Sequence, residues 1–171
     1  MSRLLLLSRD EAPILSRVWY REDGSASALT RSLASLPDLL ETLMPFLVEV
    51  GGESSIDLRT KELVVIRVSK LNGCRYCLSA HQPVALRAGV PKEQVDVLLD
   101  EAPLETLPPR ERAVVAWVDQ VTLEPHGITD ELVEATLSYL RPHELIELTL
   151  LAGSTTMLNQ YATAFDLPPP S

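Results

Sequence analysis

From Leu29 to Val50, the apolar residues Leu29, Leu33, Leu36, Leu39, Leu40, Leu43, Leu47 and Val50 recur at steps of one, three and four, the repeat of one face of an α-helix. Alternating apolar and polar runs bounded by Asn-Gly or Asp-Gly turns are scarce, so a β-rich fold has little to build on. The prolines agree with a helical reading. Pro37, Pro91, Pro109 and Pro142 stand where helical patterns begin, and a first helical turn tolerates proline because its N–H groups have no intrahelical partner. Pro45 and Pro83 fall inside such patterns and are expected to divide the first stretch and to kink or shorten a later helix. Gly51-Gly52 closes the first stretch.

Residues 57–71 are rich in Val64, Val65, Ile66 and Val68, which suits a strand. Helix is the better reading, because the segment is long, Asp57 can cap it, and Lys61, Glu62, Arg67 and Lys70 do not alternate. Asn72-Gly73 then forms a turn into a second helix over 74–88, closed by Gly89. Further helices are expected at 91–99, 109–123, 129–140 and 142–165. The result is an all-α fold around a central helix hairpin. Ile14, Val18 and Trp19 are expected to pack as a short helix, Trp117 to lie in the core, and Arg110, Glu111 and Arg112 to be surface charges. Residues 1–26 read as an N-terminal extension that packs on the domain or on a partner subunit, 27–167 as one helical domain, and 168–171 as a frayed tail.

A chain of 171 residues with 46% hydrophobic residues holds one domain and a real core. Fifteen Lys+Arg against 24 Asp+Glu give a net charge of −9, which argues against sequence-independent nucleic-acid binding and against anionic membrane surfaces. No run of about 18 apolar residues is present, and Leu4 to Leu7 is too short for a secretory core, so a cytoplasmic location is expected. In a reducing compartment a close cysteine pair points to redox chemistry or metal binding before a structural disulfide.

The two cysteines lie in Cys74-Arg75-Tyr76-Cys77-Leu78-Ser79-Ala80-His81, with the spacing Cys-x-x-Cys-x-x-x-His. On a helix these three side chains share a face. Two thiols three residues apart can close a disulfide, and a helix N-terminus lowers the pKa of the leading thiol. His81 can exchange a proton with Cys77 directly or through one water. Glu62, on the preceding helix of the hairpin, can orient His81. The dipole favours Cys74 as the more acidic thiol and His81 favours Cys77; a specific partner outweighs a dipole worth roughly 0.3–1 kcal/mol, so Cys77 is expected as the nucleophile. An open zinc site of Cys74, Cys77 and His81 competes, but a structural zinc wants four such ligands and residues on one helical face converge poorly. Neither a metal nor another cofactor is expected. His126 and His143 have no assigned role. One weak echo is present: Glu62-Leu63-Val64 against Glu144-Leu145-Ile146, an offset that sets Cys74, Cys77 and His81 opposite Thr156, Asn159 and Thr163.

Glu62-Leu63-Val64, then Asn72-Gly73-Cys74-x-Tyr76-Cys77-x-x-x-His81, resembles the alkylhydroperoxidase D-like branch of the carboxymuconolactone decarboxylase family, with looser similarity from Leu36 to Leu167. The resemblance implies a bundle around the motif-bearing hairpin, assembled as trimers or hexamers, with thiol peroxidase activity on hydrogen peroxide or organic hydroperoxides. It implies Cys77 as the peroxidatic thiolate, Cys74 as its resolving partner, and His81 and Glu62 as the proton relay. A lipoyl or thioredoxin-like dithiol protein would be the reductant. The family's better-known members carry a second histidine just before the latter cysteine, where this chain has Tyr76. Two other readings stand beside it: a lactone decarboxylase like the family's name-giving members, which do not need the thiols, and a non-catalytic redox-sensing oligomer.

Overall fold

Ten consecutive residues, Thr60 to Ser69, are buried in one helix, so that helix is wrapped by protein on every side. The computed structural model describes residues 2–100 and 102–170. Met1, Glu101 and Ser171, which begin the N-terminal extension, open the 101–108 connection and end the tail, lie outside the described residues. Eight α-helices account for the regular structure among the described residues: α1 (Ala28–Leu33), α2 (Pro37–Gly51), α3 (Leu58–Leu71), α4 (Arg75–Arg87), α5 (Lys92–Leu98), α6 (Pro109–Leu123), α7 (Asp130–Leu137) and α8 (Pro142–Ala164). Three short 3-10 turns, Ile14–Trp19, Leu104–Thr106 and Pro125–Gly127, complete it. The fold is the all-α bundle expected. α3 is its axis, packed against α4, α6 and α8.

Local sequence fixes the hairpin. Asp57 caps α3 by accepting the Thr60 N–H at 2.7 Å. At the other end Gly73 adopts φ +66°, and the Gly73 and Cys74 N–H groups return to the carbonyls of Lys70 (3.1 Å) and Ser69 (2.9 Å). This helix-ending motif needs a residue free of Cβ strain at Gly73. It makes Cys74 at once the last bonded residue of α3's end and the N-cap of α4. The same motif at Gly89 (φ +88°) ends α4.

Pro45 does not divide its helix, and Pro83 does not shorten its own. α2 runs through Pro45 and α4 through Pro83 without ending. The carbonyls that lose their helical partners belong to Glu41 and Ser79, and both residues are exposed, so water can take the place of the missing N–H. Ile14 and Val18 are also exposed, at 78% and 76%; Ser16, Ala12 and Tyr20 anchor that segment instead. α7 ends at Leu137, short of Leu140. Glu111 is not a surface charge: it is buried against Arg59 of α3. Trp117 lies in the main core, with its indole N–H on Thr149 Oγ1 at 3.0 Å.

Burying α3 buries Lys61, Glu62 and Arg67, and each of the three has a partner. Lys61 meets Glu147 and the Gly52 carbonyl. Arg67 forks onto both oxygens of Asp119 at 2.6 and 2.7 Å, and also reaches Asp100. A buried cation left without its main partner costs about 3–5 kcal/mol. Asp119→Ala is therefore expected to lower stability to urea by about 3 kcal/mol, because the Arg67 side chain is only 7% exposed. Asp100→Asn, at a carboxylate 55% exposed, is expected to cost less than about 1 kcal/mol. Equal losses in the two variants would contradict this division.

The N-terminal segment lies over the hairpin. Arg3 N–H bonds the Phe165 carbonyl at 2.9 Å, Tyr20 O–H the Leu7 carbonyl at 2.9 Å, and Ser16 O–H the Ala34 carbonyl at 2.7 Å. Leu6, Ala28 and Leu29 thereby pack on the cluster that holds both cysteines.

Candidate functional site

The hairpin turns Glu62 of α3 toward His81 of α4. Both carboxylate oxygens approach His81 Nδ1, at 3.2 and 3.0 Å. Glu62 is nearly buried (6%), while the imidazole is 38% exposed. A carboxylate accepts only, so Nδ1 carries the hydrogen and Nε2 is left as the basic nitrogen.

Cys74 and Cys77 are free thiols. Cys74 is fully buried, and Cys77 is 7% exposed. As N-cap, Cys74 Sγ accepts the Cys77 N–H at 3.3 Å. The sulfurs also hydrogen-bond to each other, with Cys77 donating. That bond, with the Cys77 N–H, Thr163 and Asn159, holds the Cys74 thiol down at about 6 against the opposing effect of burial. Cys77 moves the other way: it is the donor in the shared bond, it is buried, and it sits beside the charge on Cys74. The pair thus carries a single negative charge near neutral pH, centred on Cys74. Among the described residues no hydrogen bond joins His81 to either sulfur. The contact expected to favour Cys77 as the more acidic thiol is missing, and the bond in which Cys77 donates leaves Cys74 the more acidic of the two.

The cradle around the sulfurs comes from the far end of the chain. Asn159 and Thr163 of α8 and Ser69 of α3 all reach a thiol. The sequence reading assigned no chemistry to any of them. Its one signal was the internal echo, which sets Asn159 and Thr163 opposite Cys77 and His81. Tyr76 is not a relay member: its hydroxyl accepts the Leu29 N–H at 3.3 Å, and burial raises its pKa. An open cleft of about 730 Å³ is lined by Arg3, Arg75, Tyr76 and Ser79 together with Thr163 and Asp166. Among the described residues no three His, Cys, Asp or Glu side chains are grouped to hold a metal ion, and no helix is long and apolar enough to cross a membrane.

The model of the carboxymuconolactone decarboxylase family matches residues 37–120, which include Glu62, Cys74, Cys77 and His81. Over 48 residues the chain is 42% identical to the alkyl hydroperoxide reductase AhpD of Corynebacterium aurimucosum, a match covering 28% of this chain and 27% of that protein. A peroxidase-related protein from Silicibacter superposes with a TM-score of 0.86 at 21% identity, covering 99% of this chain and 92% of the other. The debrominase Bmp8, solved with 2,3,4-tribromopyrrole, gives a TM-score of 0.81 at 20% identity over 98% and 91%.

Proposed function

Because this chain belongs to the carboxymuconolactone decarboxylase family, on its AhpD-like side, we propose that it is a thiol peroxidase that reduces hydrogen peroxide or an organic hydroperoxide through a Cys74/Cys77 dithiol–disulfide cycle. The observation that carries this reading is a carboxylate-held imidazole on the same helix hairpin as a free, buried thiol pair.

The cycle balances with these groups. Cys77 is the sulfur with some access, so it attacks. Its proton passes to His81 Nε2 through one intervening oxygen, of water or of the peroxide itself, and Glu62 holds the imidazolium. The Cys77 thiolate attacks the terminal peroxide oxygen, the O–O bond breaks, and the imidazolium proton goes to the departing alkoxide. The products are an alcohol and the Cys77 sulfenic acid. The Cys74 thiolate then attacks the Cys77 sulfur and expels hydroxide, which takes one proton from solvent and leaves as water. An external dithiol, of the lipoyl or thioredoxin-like kind, reduces the disulfide by exchange.

The test is steady-state consumption of hydroperoxide by the reduced protein with a recycling dithiol. The reaction is expected to proceed through many turnovers and to slow as pH falls through about 6, where Cys74 takes up its proton. A disulfide that forms without turnover would support a redox sensor instead. Carbon dioxide release from a cyclic lactone by protein lacking both thiols would support a lyase. The likeness to the debrominase is one of fold, and no side chain described above favours its reaction over peroxide reduction.

Homo-oligomerisation belongs to the same reading. Ile146, Leu150 and Met157 form an exposed apolar stripe on α8, next to α2, whose Leu39 and Phe46 are also exposed. Sedimentation is expected to show a trimer or hexamer; a monomer of 18.9 kDa at all concentrations would contradict it.

A further inference from the structure

Two helices and one irregular segment pack on the cluster that holds both thiols. Cys74 is fully buried and Cys77 is 7% exposed, in company with Tyr76, Ala162 and Leu167. Ala28 and Leu29 of α1, Tyr161 of α8 and Phe165 at its end lie against that cluster, and so does Leu6. Leu29 is further tied by its N–H to the Tyr76 hydroxyl at 3.3 Å. Leu6 has no such frame. It belongs to residues 2–8, which form neither helix nor strand and none of which is buried. Leu5 is 74% exposed, and Leu7 packs on a different cluster, that of Ala12, Tyr20 and Ala34. Polar contacts hold the segment at its two ends. Arg3 donates from its N–H and its Nη1 to the carbonyls of Phe165 and Ala164, at 2.9 and 2.7 Å. Arg31 of α1 donates to the carbonyls of Leu6 and Leu7, at 2.9 and 3.1 Å. A segment with so few buried apolar contacts opens locally at low cost.

We propose that residues 2–8 are a strap that opens to admit the dithiol reductant to the Cys74–Cys77 disulfide, with Arg31 as its latch, while hydroperoxide reaches Cys77 with the strap closed. The proposal deepens the peroxidase reading and rests on it. In reduction a thiolate of the reductant attacks the Cys77 sulfur, the S–S bond breaks, and Cys74 leaves as a thiolate. The reductant's second thiolate then attacks its own partner sulfur in the mixed disulfide, releases Cys77 and departs as an oxidised dithiol; the two protons of the dithiol end on the protein's thiol pair or in solvent. The mixed disulfide brings a protein chain up to Cys77, and a side chain 7% exposed leaves no room for one. A peroxide needs only the approach of its terminal oxygen. Open space adjoins the strap: the cleft of about 730 Å³ is lined by Arg3 and by Tyr76, Ala162 and Leu167 of the thiol cluster, so lifting the strap widens the cleft toward the sulfurs.

The test uses the full chain in its disulfide form, prepared with diamide, and compares reduction by thioredoxin with reduction by dithiothreitol. Arg31→Met removes the latch donors at similar length, and Leu6→Ala removes the strap's contact with the thiol cluster. Each is expected to speed reduction by thioredoxin about tenfold and reduction by dithiothreitol less than about threefold. Leu5→Ala, at the exposed leucine of the strap, is expected to change neither. Arg31→Lys, which keeps a single cationic donor group, is expected to fall between the parent and Arg31→Met, and it serves if Arg31→Met does not fold. Equal acceleration toward both reductants, as a general loosening of the fold would give, would overturn the proposal. Unchanged rates would overturn it too, and would place the reductant's entry at the partly exposed His81 instead. A parent chain that consumes no hydroperoxide while the selective rise appears would sink the peroxidase reading and leave the strap's control of thiol access standing.

Discussion

Cys77→Ser is expected to reduce hydroperoxide consumption to the background rate, while Cys74→Ser is expected to complete one turnover and stop. Serine is too weak an acid to supply an anion at neutral pH, so the first variant has no attacking group. The fully buried Cys74 cannot substitute for it. In the second variant Cys77 still attacks, and its own acidity improves. The neighbouring charge that pushes its pKa up is gone, and no anionic sulfur accepts its proton in the shared bond. Its sulfenic acid then finds no second thiol. Dimedone trapping with mass spectrometry is expected to find one adduct per chain on Cys77 in Cys74→Ser and none in Cys77→Ser. Multiple turnover in Cys77→Ser would end the assignment of that sulfur as nucleophile.

The relay carries the next largest effect. His81→Gln preserves an N–H donor toward the buried Glu62, so the fold is spared an unpaired carboxylate, but it removes the base. Such a loss is expected to lower kcat/KM for hydroperoxide by about 10²–10⁴. Glu62→Gln keeps the ring and loses the charge that steadies the imidazolium, so a smaller fall is expected. Because Glu62 touches the chemistry only through His81 Nδ1, at 3.0 Å, the double variant is expected to be no slower than His81→Gln alone. Additive losses would mean that Glu62 acts on substrate or sulfur directly. The thiolate absorbance midpoint of Cys74 is expected to change little in all three, since its acidity comes first from Cys77 and not from the relay.

What was legible in the sequence was whatever local rules decide. Asp57, Gly73, Gly89, Pro109 and Pro142 mark helix ends through capping and backbone freedom, and the helices begin or stop at them. The meeting of Glu62 and His81 followed from a turn at Asn72-Gly73, which leaves little choice of register between two short helices. Contacts across the bundle were not legible. Asn159 and Thr163 reach the thiols only because α8 packs on both α3 and α4, and nothing local to either segment sets that register. Glu111 looked like first-turn surface because its partner, Arg59, lies 52 residues away. Pro45 and Pro83 looked like breaks because the exposure of the carbonyls four residues earlier depends on tertiary packing. The acidity of the two thiols turned on a distance: His81 at hydrogen-bonding range would have favoured Cys77, and its absence from that range leaves the N-cap sulfur of Cys74 as the ionised one.

The most direct measurement is a single-turnover titration. Fully reduced protein under anaerobic conditions is mixed with one equivalent of an organic hydroperoxide, then analysed by intact mass, peptide mapping and product quantification. One alcohol formed per chain, both thiols lost and an intrachain Cys74–Cys77 disulfide is the expected result. Unconsumed hydroperoxide beside two intact thiols would contradict the account at its centre.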